Sequence, residues 1–249
     1  MSISNQHALL GIGLLAGVFF GQPASAAIAL DRTRVIFPGN EHAISLNIHN
    51  ENTQLPFLAQ AWLEDSNGKK ITSPLVILPP LQRLEPGASS QLEIRAMPAA
   101  MQLPQDRETL FYFNLREIPP RSKTPNTLQL ALQTRVKFFY RPKALNLTNG
   151  TAVAFQQKLK LSRQGQNEVV NNPTPYYISL VAAHSHTAHD SVSGFRPLMI
   201  APGSSASLGA IADALGSEPT LTYINDYGGS VDLSFHCAGS QCQVADSAR

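Results

Sequence analysis

The sequence predicts an all-β protein made of two immunoglobulin-like sandwich domains in tandem. Three observations predict it. Short apolar runs recur roughly every 8–12 residues, the spacing of sandwich strands. Proline or glycine sits in most of the gaps between them. After Arg141-Pro142 the whole pattern begins again, and no long helix-period pattern interrupts it.

The chain opens on a segment of a different kind. Residues 8–20, ALLGIGLLAGVFF, are apolar, and Ala24-Ser25-Ala26 fits the small-x-small pattern before a signal-peptidase cut. An apolar run of about thirteen residues is too short to remain as a spanning helix. Residues 1–26 are therefore read as an export signal, although no Lys or Arg precedes Ala8.

In the first domain, 27–141, strands are expected at 28–37, 43–49, 57–64, 70–78, 89–95, 110–117 and 127–140. Pro38-Gly39, Pro56, Gly68, Pro79-Pro80, Pro86-Gly87, Pro104 and Pro119-Pro120 punctuate them. No cysteine pair pins this half, so its core rests on apolar alternation, including Trp62. The last run is the most informative. In NTLQLALQTRVKFFYRP, Leu128, Leu130 and Leu132 alternate with Gln129, Ala131 and Gln133, as in a strand with one apolar face. Pro142 cannot donate to a ladder and ends it.

In the second domain, 142–249, strands are expected at 156–161, 168–171, 176–182, 199–201, 205–208, 220–225, 231–235 and 241–245. A faint echo links the halves: LPFLAQAWL at Leu55 and TPYYISLVA at Thr174 both follow an Asn-rich turn. Cys237 and Cys242 are the only cysteines, and in an exported chain their spacing suggests a small-loop disulfide worth roughly 2–3 kcal/mol.

The chain carries 19 Lys and Arg against 17 Asp and Glu, a formal charge of +2 that points to neither nucleic acid nor an anionic membrane. No phosphate loop, Gly-x-Ser-x-Gly elbow or zincin helix is present, so no catalytic residue and no cofactor is assigned. His184, His186 and His189 form the one histidine cluster, and the alternative reading is a two-domain periplasmic metal-binding protein.

Several longer motifs then come in a telling order. LDRTRVIF at 30–37, QLPFLAQAW at 54–62, LPQDRETLFYFNLREIPPR at 103–121, QTRVKFFYRP at 133–142, NPTPYY and YINDYGG resemble the periplasmic chaperones of chaperone–usher pilus assembly. The short connection from Pro119 to Asn126 is similar to the branch serving rod-type pili. The resemblance implies two domains set in an L, pilus subunits (pilins and adhesin) as partners, and transfer to an outer-membrane usher. It implies that Arg34 and Lys137 grip the subunit's terminal carboxylate, and that Leu128, Leu130 and Leu132 form the strand lent to it. It further implies that Glu108, Arg141 and Asp226 fix the interdomain angle. Where an Arg often joins that cluster this chain has Glu93, and Arg95 is the residue placed to substitute. A free chain could hide its leucine edge by transient self-association. Counting by twos, Lys137 has the opposite parity to the leucines, which a bulge or strand twist would reconcile.

Overall fold

The computed structural model describes residues 26–147, 155–186, 191–209 and 211–245, and the expected signal at 1–26 lies almost wholly outside them. Domain one is a sandwich of two sheets. Its first run divides between them: β1 (Ile28–Leu30) pairs antiparallel with β3 (Ala43–Asn50), whereas β2 (Arg34–Pro38) pairs parallel with β10 (Gln133–Arg141). The expected single strand at 28–37 breaks at Asp31, whose carboxylate accepts from the Asn47 backbone and side-chain N–H and from Arg32.

Next come β4 (Phe57–Glu64), β5 (Lys70–Ile71), β6 (Leu75–Leu78), β7 (Leu81–Leu84), β8 (Ser89–Ala96) and β9 (Thr109–Ile118). The sheets run β1-β3-β8-β6 and β2-β10-β9-β4-β5, with β7 also on β4. The run expected at 70–78 is two strands, separated by a segment holding Pro74, which has no N–H for a ladder. Between the sheets lie Val35, Phe37, Leu46, Leu92, Phe113 and Phe138, all fully buried.

Domain two contains β11 (Lys160–Gln164), β12 (Asn167–Asn172), β13 (Ile178–His184), β14 (Leu198–Ile200), β15 (Ser204–Gly209), β16 (Thr220–Ile224), β17 (Ser230–Ala238) and β18 (Gln241–Val244). The order is β14-β13-β16-β17-β18-β11-β12-β15. β17 joins two sheets, pairing with β16 through Ser234 and with β18 from Phe235 onward. The strand expected at 156–161 is instead a 3₁₀ turn, Phe155–Lys158, leading into β11, and the short helix α1 (Ala212–Leu215) was not expected.

The faint internal echo has a physical basis. Asn50 and Asn172 are both fully buried. Asn50 donates to the carbonyls of Leu55, Leu84 and Glu85, and Asn172 to those of Tyr176, Ile200 and Ala201. Each thereby ties the turn after its own strand to a distant loop in its domain. A buried amide whose two N–H groups are shared among three carbonyls fixes a corner no apolar residue could.

Candidate functional site

β10 is the spine of the site. Val136, Phe138 and Tyr140 turn into the core of domain one, where Phe138 and Tyr140 pack on Phe37. Lys137, Phe139 and Arg141 therefore take the other face, which meets domain two. Lys137 reaches Ser179, Phe139 packs on Tyr177 with ring centroids 5.6 Å apart, and Arg141 reaches Asp226.

Lys137 and Arg34 are register partners on the parallel pair β10–β2, so two cations stand side by side. Lys137 Nζ donates to Ser179 Oγ at 2.9 Å, and Arg34 Nη1 donates to the Ile224 carbonyl at 3.0 Å. Among the described residues neither cation has an ion-pair partner. Burial pushes the Lys137 ammonium below its ordinary pKa, and the charge of Arg34 adds to this. Burial likewise lowers Arg34, against the pull of Asp226 and Glu108. Arg34 also lines a hollow of about 380 Å³ with Asp31, Arg32, Ile36, Asp226 and Tyr227.

Arg141, Glu108 and Asp226 come together. Arg141 Nε donates to Glu108 Oε1 at 2.8 Å, and its two terminal nitrogens make a fork on Asp226 at 2.6 and 2.9 Å. Burial would push the guanidinium pKa down, but its hydrogen bonds to Asp226 and the Glu108 charge outweigh burial and raise it. Glu108 Oε2 also accepts from the Tyr177 N–H at 2.7 Å. Arg95 does not join this group: it bonds Glu93 on the exposed side of β8, its neighbour two residues away. The reason is distance in the fold, since β8 lies in the sheet that does not contain β10.

The domains also touch at Gly228, where a Cβ would overlap Thr33 Oγ1. The turn is held by Asn225 Oδ1, which accepts from the N–H groups of Tyr227 and Gly229, and it puts Gly228 at φ +87°. Rotation of Thr33 would relieve the overlap, but nothing relieves the backbone. Gly228→Ala should cost about 1–2 kcal/mol, read as a lower midpoint in urea unfolding. A midpoint equal to wild type would contradict the left-handed backbone at Gly228.

The leucines lie where the β9–β10 ladder stops. Glu117 N–H donates to the Leu132 carbonyl, which places Leu130 opposite Pro119. Prolines have no N–H, so the ladder cannot run further. This corrects the strand expected at 127–140: regular pairing starts at Gln133, and residues 127–132 belong to no strand. On the other side β2 covers β10 only from Lys137 onward. Leu128, Leu130 and Leu132 are consequently 84%, 68% and 39% exposed. No bulge interrupts the pairing of β10 with β9. The parity offset is ordinary alternation: the leucines share the phase of Val136 and Phe138, and Lys137 takes the opposite face.

The remaining assignments resolve simply. Cys237 and Cys242 form a disulfide between register partners on β17 and β18. His184 contacts Thr222, His186 contacts Glu218, and His189 lies outside the described residues. Among the described residues no group of His, Cys, Asp and Glu is placed to hold a metal, so the metal-binding alternative is not favoured. Sequence reasoning missed Ser179, Tyr177 and the Ile224 carbonyl. Tyr177 closes the motif NPTPYY, and the signal for Ser179 was a spacing of two that mirrors Lys137 and Phe139.

Residues 27–146 match the family model described as "Pili and flagellar-assembly chaperone, PapD N-terminal domain", and 154–235 match "Pili assembly chaperone PapD, C-terminal domain". The chain belongs to the PapD-like chaperone family. Among curated PapD-like relatives it is 47% identical over 221 residues to the probable fimbrial chaperone YfcS of Escherichia coli K12, covering 89% of this chain and 87% of that one. It is also 47% identical over 222 residues to the chaperone protein PapD of Escherichia coli, covering 89% and 91%. Among solved structures, the periplasmic chaperone SfaE aligns with TM-score 0.65 and 30% identity, over 83% of this chain and 98% of that one. The Salmonella enterica SafA pilin in complex with the SafB chaperone aligns with TM-score 0.71 and 25% identity, over 86% and 97%. The two immunoglobulin-like domains are those of PapD-like chaperones.

Proposed function

We propose that this chain is a non-enzymatic chaperone of the periplasm that completes the fold of pilus subunits with its own strand and passes them to an outer-membrane usher. Residues 1–26 direct its export. The observation that carries the reading is the unpaired edge of β10, which leads from exposed leucines straight into the Arg34–Lys137 pair.

β2 runs parallel to β10 and begins beside Lys137 with Arg34. A partner strand lying in line with β2, and running the same way, would end against these two cations. Its terminal carboxylate would meet the Arg34 and Lys137 N–H groups not given to Ile224 and Ser179. The cations thus set the register, and register decides which face every leucine takes. Leu128, Leu130 and Leu132, in phase with the core of domain one, would fill the partner's unfinished core at about 1.5–3 kcal/mol each. The SafA–SafB neighbour, a pilin held by a chaperone, supports this choice of partner.

Leu130→Glu tests it. A carboxylate entering an apolar groove without a partner costs several kcal/mol, and the side chain is exposed in the free chain. The variant should fold as wild type does yet fail to co-purify with a co-expressed pilus subunit. Recovery of complex at wild-type yield would rule out the leucine run as the lent strand.

A further inference from the structure

The interface between the domains is an in-register ladder of side chains, and its last rung is the lysine of the anchor. Lys137 and Phe139, two residues apart on β10, meet Ser179 and Tyr177, two residues apart leading into β13. Ile178 and Leu180 turn into the core of domain two, so Tyr177 and Ser179 turn toward domain one. Next along, the Glu108 N–H donates to the Pro175 carbonyl at 2.9 Å. The second cation is treated the same way. Ile224, whose carbonyl holds Arg34, ends β16, the strand beside β13. Two neighbouring strands of domain one present the cations, and two neighbouring strands of domain two present their acceptors.

We infer that Ser179 is a positioning residue for carboxylate capture, holding the Lys137 ammonium beside Arg34 with a neutral acceptor. This rests on the proposal that the pair receives a terminal carboxylate. A lysine is a point charge on a flexible stem, and here its register partner is another cation that repels it. Left without an acceptor, the ammonium gains by swinging out to water. Ser179 is only 3% exposed and its hydroxyl bonds Lys137 at 2.9 Å, which sets the direction of the lysine's two other N–H groups. The neutrality of the hydroxyl matters as much as its place. A carboxylate at this position would pair with the ammonium and compete with the incoming one. Serine steers the charge without cancelling it. Because Ser179 belongs to domain two, the docking of the domains also sets the geometry of the anchor.

The test compares two forms of one short synthetic peptide of alternating apolar residues, one ending in a free carboxylate and one in a carboxamide. Binding of each to the intact, folded protein is followed by fluorescence anisotropy. Ser179→Ala should cut the preference for the acid about tenfold, in line with a lost hydrogen bond to a charged group. Binding of the amide should be unchanged, and Ser179→Thr, which keeps the hydroxyl, should restore the preference. If Ser179→Ala weakens both peptides equally, the residue is only structural support and the inference is overturned. An unchanged preference overturns it too. Lys137→Ala, measured alongside, separates the two levels. If that variant keeps the wild-type preference, the carboxylate anchor itself is wrong and takes the inference with it. If it loses the preference while Ser179→Ala keeps it, only the role of Ser179 falls.

Discussion

Lys137→Ala, like Arg34→Ala, should leave the protein folded and abolish its recovery with a pilus subunit. Both cations are partly buried, and the contacts they make in the free chain are to one hydroxyl and one carbonyl, neither of them charged. Burial has already depressed both pKa values, and among the described residues neither cation has an ion-pair partner, although Asp226 and Glu108 act on Arg34 from further off. A terminal carboxylate would relieve that condition through charge-assisted hydrogen bonds worth about 1.5–3 kcal/mol each. The loss on mutation should exceed those bonds, because they also fix register. A slip of one residue would turn each leucine from the partner's core to water. Removing either cation should leave the folded stability of the free chain nearly unchanged, since the relief from burying a charge offsets the one hydrogen bond to a neutral acceptor that each loses. The measurement is yield of complex after co-expression, with thermal unfolding of the free variant as the control. Wild-type yield from either variant would end the anchor assignment.

Capture should also fade at alkaline pH. The Lys137 pKa lies below its ordinary value of 10.5, chiefly through burial. The charged ammonium is the form that binds a carboxylate. Affinity is therefore present below the depressed pKa and is lost as pH rises through it, while Arg34 stays charged. Titration of peptide binding into the alkaline range should show this loss for the peptide ending in a free carboxylate and not for its carboxamide form.

Different parts of the molecule were legible to different degrees. The leucine alternation at 128–132 is visible because strand period is written directly in sequence, and so is the break at Arg141-Pro142. That the leucines stand outside any sheet was not visible. It follows from register, which sets Leu130 opposite Pro119, and register is a tertiary property. The division of 28–37 between two sheets was hidden for the same reason, since Val35 and Phe37 look alike whichever sheet they join. β7 was missed because Leu81–Leu84 is a four-residue strand packed between two proline signals. Arg34 and Lys137 are ordinary charges to composition and periodicity, and only their motifs singled them out. Arg95 was credited by strand parity alone, and parity cannot tell one sheet of a sandwich from the other.

Arg141→Met should uncouple the domains, at about 3–5 kcal/mol, the usual result of stripping one partner from a buried ion pair. The side chain is 5% exposed, and it ties Glu108 of domain one to Asp226 of domain two while its guanidinium lies 5.1 Å from the Tyr176 ring. Its removal leaves Glu108, itself 3% exposed, with the Tyr177 N–H as its remaining side-chain bond. Most of the cost is that stranded carboxylate rather than the lost attraction, because Asp226 is partly exposed and water can take over its charge. The double variant Arg141→Met with Glu108→Leu should therefore be more stable than Arg141→Met alone, as expected of two residues coupled in one ion-pair network. Calorimetry of the free protein reads both effects: one unfolding transition in wild type, and two separated transitions once the domains no longer support each other. If Arg141→Met unfolded in a single transition at the wild-type temperature, the cluster would be an ornament of the surface. The same variant should weaken carboxylate capture without touching Arg34 or Lys137, because the acceptors that hold those two cations belong to the domain Arg141 keeps in place.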